Sequence, residues 1–184
     1  ADGACDCTGN VEDDCGVCGG SGPGEGYTCN GTPELFDYND SQFQAFYFFD
    51  NVTINGNTVD NLDWVGAFNG EICVGARQWD TSGCGNGICD VPVMGYDGTE
   101  YTQGYMMTGE MPSFKIFDES ENTYYDAVAS DEFPWINFGF NEAGNLQNEI
   151  VGCTDEMACN FDVDANMDSG TCEYPEENYD CAGN

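Results

Sequence analysis

The chain has 184 residues, with Lys+Arg 2 against Asp+Glu 35 and no His, for a formal net charge of -33 at pH 7. Two cations cannot track a phosphate backbone or dock on anionic lipid, so nucleic-acid binding and electrostatic membrane attachment are excluded, and any charged partner is cationic. The 40% hydrophobic and 14% aromatic content nevertheless supplies a core, which separates this chain from acidic disordered ones.

Cysteine density divides the chain into a segment at 1–31 with five of the 12 cysteines, a stretch at 32–152 with three, and a segment at 153–184 with four. So many cysteines, even in number, predict disulfides and an extracellular location. The Cys15-Gly16-Val17-Cys18 pair also has zinc spacing, but no His and no second well-spaced pair complete a four-ligand site. No charged-then-apolar leader opens the chain and no apolar run of membrane-spanning length occurs, so it reads as a mature or excised segment without direct membrane insertion. Flanks of about 30 residues need staples or metal to fold, while the centre is large enough for its own core.

In chain order, the centre shows a period of 2 at 43–49, 64–68, 72–77, 113–118, 123–129 and 136–140, short aromatic or β-branched runs separated by Gly, Asn and Asp. Asn55-Gly56 and Asn69-Gly70 sit between such runs and predict two hairpins with type I′ turns. No window carries an amphipathic helix. The expected fold is all-β, an antiparallel β-sandwich or jelly roll at 32–152, flanked by small disulfide-rich calcium-binding segments.

Cys84-Gly85-Asn86-Gly87-Ile88-Cys89 brings its ends within bridging distance, predicting a Cys84–Cys89 disulfide. Cys73 is then alone in the centre, and its most economical partner is Cys29, leaving Cys153, Cys159, Cys172 and Cys181 as the C-terminal four. Sequons at Asn30, Asn39 and Asn51 are candidate glycosylation sites. In the C-terminal segment Asp162, Asp164, Asn166 and Asp168 place oxygens at every second position, with Glu173 eleven residues after the first. Calcium takes six to eight hard oxygens, and this spacing matches an EF-hand loop except for Met167 where the turn glycine belongs. The expectation is a calcium loop of different backbone path; the competing reading is a solvated acidic turn. Asp6, Asp13 and Asp14 are the candidate ligands at the other end.

Catalysis finds no constellation: without His there is no Ser-His or Cys-His pair, and acidic pairs are unavoidable among 35 acids. Arg77 and Lys115 are the only cations, either bridging subunits or pairing internally. Trp64 and Trp135 sit in apolar text, whereas Trp79 in Arg77-Gln78-Trp79-Asp80 is the candidate surface ring for stacking on a sugar.

Gly152-Cys153-Thr154-Asp155, Ala158-Cys159-Asn160-Phe161-Asp162 and Asp168-Ser169-Gly170-Thr171-Cys172-Glu173-Tyr174 resemble the GCTD…ACNY…DDGSC-Y repeats found in tandem in very large secreted and surface proteins of aquatic bacteria. Glu12-Asp13-Asp14-Cys15-Gly16-Val17-Cys18-Gly19-Gly20 is similar to the DECGVCGGDG units that accompany them, and loosely to the acidic calcium repeats of thrombospondins. The centre, with Asp63-Trp64-Val65-Gly66-Ala67-Phe68-Asn69-Gly70 and Val91-Pro92-Val93-Met94-Gly95, resembles a β-sandwich module of the same proteins. Both ends carry the same Cys/Gly/Asn text, Asp180-Cys181-Ala182-Gly183-Asn184 echoing Asp6-Cys7-Thr8-Gly9-Asn10. The functional expectation is a non-enzymatic extracellular structural protein, a calcium- and disulfide-stabilised subunit or repeat whose copies join head to tail in a surface fibre. A carbohydrate-binding or adhesion module that takes glycans is the alternative.

Overall fold

The protein is represented by a computed structural model that describes residues 3–176 and 179–182. Two sheets pack face to face. The smaller has the order β6-β1-β9, from β1 (Gln44–Phe49), β6 (Cys89–Met94) and β9 (Phe140–Glu142). The larger runs β3-β2-β10-β8-β7-β4-β5, from β2 (Asn51–Ile54), β3 (Asn57–Thr58), β4 (Trp64–Asn69), β5 (Ile72–Gln78), β7 (Ser113–Asp118), β8 (Thr123–Ala129) and β10 (Asn145–Asn148). Among the described residues the only helical pieces are three-residue 3-10 turns.

Alternation decides what enters the core. In β1, Ala45, Tyr47 and Phe49 point inward and meet Val52, Val65, Ala67, Val74, Phe114, Ile116 and Leu146 of the larger sheet, with Val91 and Val93 of β6 beside them. Each such side chain contributes about 1.5–3 kcal/mol on burial, so this layer dominates the stability of the centre.

Most pairings are antiparallel, but β1 with β9 and β2 with β10 are parallel. The two parallel pairs keep one register and form a single ribbon that leaves the small sheet, bends at Asp50 and Gly144, and enters the large one. The Asp50 N–H donates to the Gly144 carbonyl at 2.7 Å at that corner.

Asn55 and Gly56 both have positive φ, the type I′ pattern, at the turn from β2 to β3. At the second hairpin Asn69 and Ile72 pair, so the central residues are Gly70 and Glu71 and only Gly70 has positive φ, the pattern of a II′ turn. The run at 136–140 is not a strand. Asn137 Oδ1 accepts the Gln44 N–H, Phe138 takes φ +61°, and pairing starts only at Phe140.

A second apolar cluster lies on the outer face of the large sheet, where Phe36 is fully buried against Phe68, Cys73, Ala76 and Phe117, with Tyr27, Tyr38, Trp64 and Tyr124 around it. Gly66 makes this possible, because a Cβ there would stand 2.7 Å from the Phe36 ring. The cluster ties the end of the Cys-rich N-terminal segment to the sandwich, with Tyr27 reaching across residue 31 to pack edge-on against Phe117.

Candidate functional site

The cysteines were expected to staple the ends, and five disulfides form: Cys5–Cys18, Cys15–Cys29, Cys84–Cys89, Cys153–Cys172 and Cys159–Cys181. The proposed Cys29–Cys73 bridge is corrected: Cys29 pairs with Cys15, while Cys73 is a free thiol inside the second cluster and Cys7 a free thiol on the surface. Pairing by elimination assumes that every cysteine is oxidised, whereas a buried thiol packs as a small apolar group. Burial pushes the Cys73 thiol up to about 12, so it stays protonated and inert. One thiol, Cys7, should therefore react with maleimide in the native protein and a second, Cys73, only after unfolding; two reactive thiols in the native state would contradict the buried position.

The run expected to hold calcium takes a different path. Asn166 has both side-chain polar atoms committed, Oδ1 accepting the Ile150 N–H at 2.8 Å and Nδ2 donating to the Asn148 carbonyl at 2.8 Å. Met167 and Asp168 form β12 (Met167–Asp168), which pairs with β11 (Val151–Gly152). Asp162 accepts the Asp164 N–H at 3.1 Å and Asp168 the Gly170 N–H at 3.1 Å, while Glu173 contributes its backbone to Cys159 and Asn160. Among the described residues no three Asp, Glu or Cys side chains gather into a group able to hold a metal. Asn166 is instead the pin that fastens the C-terminal segment to the end of β10.

At the other end Asp14 is exposed, and Asp6 and Asp13 organise turns. The Thr8 hydroxyl and the Asn10 side-chain amide donate to Asp6 at 2.8 and 2.6 Å, with the N–H groups of Asn10 and Thr8 adding to them, and they lower its carboxyl to about 2. Asp13 is likewise held below the ordinary carboxylate range by the N–H groups of Val17, Gly22 and Cys15. Both carboxyls ionise more readily folded than unfolded, so their contribution is complete above the ordinary value near 3.8 and is lost as pH falls through the folded values. NMR shifts of the Thr8 and Asn10 amides should stay native at pH 4 and change only as pH approaches 2. A midpoint for Asp6 at the ordinary value would show that these bonds do not form.

Both cations pair within the chain, Arg77 with Asp90 at 3.1 Å and Lys115 with Asp126 directly opposite it on β8. Such partly exposed pairs contribute about 0–1 kcal/mol. Trp79, expected at the surface, is buried against Phe49. The cause is a bulge: Ala67 faces Gly75 and Phe68 faces Cys73, so Val74 is an extra residue that reverses the alternation beyond it and turns Trp79 inward. The sequon residues Asn30, Asn39 and Asn51 are all exposed, and Asn39 Nδ2 donates to the Tyr101 carbonyl at 3.2 Å. The closing echo includes Gly183 and Asn184, which lie outside the described residues.

One surface was missed by sequence reasoning. On the outer face of the small sheet Phe140 of β9 lies nearly parallel to Phe46 and Phe48 of β1, with ring centroids 5.4 and 6.2 Å away. Phe48 and Phe140 border an open groove of about 860 Å³ that is also lined by Phe133 and by Asp50, Asp131 and Glu142. Beside it Ile136 and Phe138 project outward, and the positive φ of Phe138 costs on the order of 1–3 kcal/mol for a bulky residue. The signal was in β1: Gln44-Ala45-Phe46-Tyr47-Phe48-Phe49 does not alternate polar with apolar, so its outer face is apolar as well.

In comparisons with known proteins, no family model, no curated protein and no solved structure matches the chain.

Proposed function

We propose that the chain is an extracellular structural subunit or repeat whose copies join head to tail into a fibre, stabilised by disulfides and by calcium. The observation that carries this reading is that both Cys-rich ends are fastened to one sandwich, the first through Tyr27 and Phe36 on the outer face of the large sheet, the second through Asn166 at the end of β10. Flexible linkers need no such anchors; a unit that transmits tension from neighbour to neighbour does. Five disulfides support an oxidising compartment, and among the described residues no helix is long and apolar enough to cross a membrane.

Calcium enters this reading as counter-charge rather than as a resident of a finished cage. Bringing two copies of a chain of charge -33 together is repulsive, and divalent cations shared between carboxylates of adjoining copies offset that repulsion. The best candidate ring for the alternative, a carbohydrate-binding module, was Trp79, and that ring is in the core. Electron microscopy of the oxidised protein in calcium and in excess chelator tests the proposal: threads are expected in the first and their loss in the second. Isolated particles in both would overturn it.

A further inference from the structure

We infer that the groove at the end of the small sheet is a binding site for an arginine side chain presented by a different protein, a partner beyond the copies of the fibre reading and independent of that reading. Strand pairing builds the site. Phe140 of β9 stands opposite Phe46 of β1 and Glu142 opposite Phe48, so three rings and a carboxylate occupy adjacent rows of one outer face. The plane of the Phe140 ring is within 29° of Phe46 and 14° of Phe48, and its own faces are open to solvent. Phe133 and Ile88 extend the apolar wall, Ile88 being carried by the loop that the Cys84–Cys89 disulfide closes. Asp50, Asp131 and Glu142 supply the negative charge.

Charge complementarity names the occupant. Asp50, Asp131 and Glu142 are exposed and take no cationic side chain of this chain, because Arg77 holds Asp90 and Lys115 holds Asp126. A purely apolar segment laid on the rings would bury these carboxylates without partners, which costs free energy. A cation is attracted by the ring faces and by the carboxylates together. The guanidinium meets both demands: it is planar and weakly hydrated, so it stacks on a ring, and its fork of N–H donors bonds a carboxylate at two points. An ammonium is a compact, strongly hydrated charge and stacks less well. The donor is not a second copy, since the only arginine in the sequence, Arg77, is held within its own chain at 3.1 Å from Asp90.

NMR titration with the blocked peptide acetyl-Gly-Arg-Gly-amide tests this, in chelator so that association of copies does not interfere. Saturable shifts are expected at the Phe48 and Phe140 rings and the Ile88 methyls. The citrulline peptide, equal in shape and uncharged, should bind at least about tenfold more weakly, and the lysine peptide about threefold more weakly. Phe140→Ala, at a ring that is 73% exposed, and Glu142→Gln should each weaken the arginine peptide about fivefold or more while moving the melting temperature by less than about 2 °C. Glu156→Gln removes the same charge from the exposed surface of the C-terminal segment and should leave the affinity unchanged. Equal binding of the arginine and citrulline peptides, equal losses from Glu142→Gln and Glu156→Gln, or shifts spread over acidic surface away from the rings would reduce the effect to overall charge and overturn the site. A groove that ignores the peptide would overturn it too, whether it takes a neutral oligosaccharide instead or Phe140→Ala abolishes association of copies in calcium. Threads in calcium are scored separately, so failure here leaves the fibre reading standing.

Discussion

Gly75→Ala is expected to destabilise the protein by more than about 3 kcal/mol, beyond the usual range for overpacking. Gly75 is on the inner face of β5, where a Cβ would stand 1.7 Å from the carbonyl oxygen of Pro92 in β6. A side chain in that position can turn away; a strand's carbonyl cannot without breaking the packing of the two sheets. For a protein of this length the loss corresponds to about 6–12 °C in melting temperature. Gly83→Ala is the control, since a Cβ there meets nothing within 4 Å and its φ is not positive. Thermal unfolding followed by circular dichroism without reductant should separate the two. Equal melting temperatures would mean that the sheets do not approach so closely.

The second large effect is at Phe36, where truncation to Ala should cost about 3–5 kcal/mol. The ring is fully buried and makes edge-to-face contacts with Phe68, Phe117 and Tyr124 at centroid distances of 5.8, 6.5 and 5.3 Å. Its loss leaves Gly66 facing a void and frees the end of the N-terminal segment from the sheet. Limited proteolysis should therefore cut faster between residues 19 and 36 in Phe36→Ala than in the native protein. Leu35→Ala, at a neighbouring exposed side chain, should change neither stability nor cleavage measurably. Unchanged cleavage in the Phe36 variant would show that Phe36 does not anchor that segment.

The sandwich was legible because its strands carry local signals. Ser113–Asp118 and Thr123–Ala129 begin and end where the alternation does, and Asn55-Gly56 turns as its sequence demands. Ile136 to Phe140 alternates as well, yet nothing in those residues reveals that the Asn137 side chain takes the Gln44 N–H and that Phe138 turns to positive φ, so the ladder with β1 starts only at Phe140. The failure at Trp79 has the same origin, since the bulge at Val74 is set by how β4 and β5 close and not by either strand alone. Cys73 shows what residue counting misses: a thiol in a core and a half-cystine have the same letter. Asn166 fitted the spacing of a calcium ligand, but its amide satisfies two backbone groups at once, Ile150 N–H and Asn148 C=O, which only the folded path brings together. Phe46 and Phe48 lie in the run at 43–49, and the sequence does not say which face of that strand lacks a cover.

A chain whose copies join head to tail, as proposed, should associate with itself without closing. Sedimentation velocity of the oxidised protein in calcium, over a wide range of concentration, measures that directly. A 19.9 kDa unit joined by a heterologous contact should give a broad distribution whose mean mass rises continuously with concentration and collapses to one copy in chelator. A single boundary at the mass of one chain at every concentration, or a discrete dimer that grows no further, would contradict it.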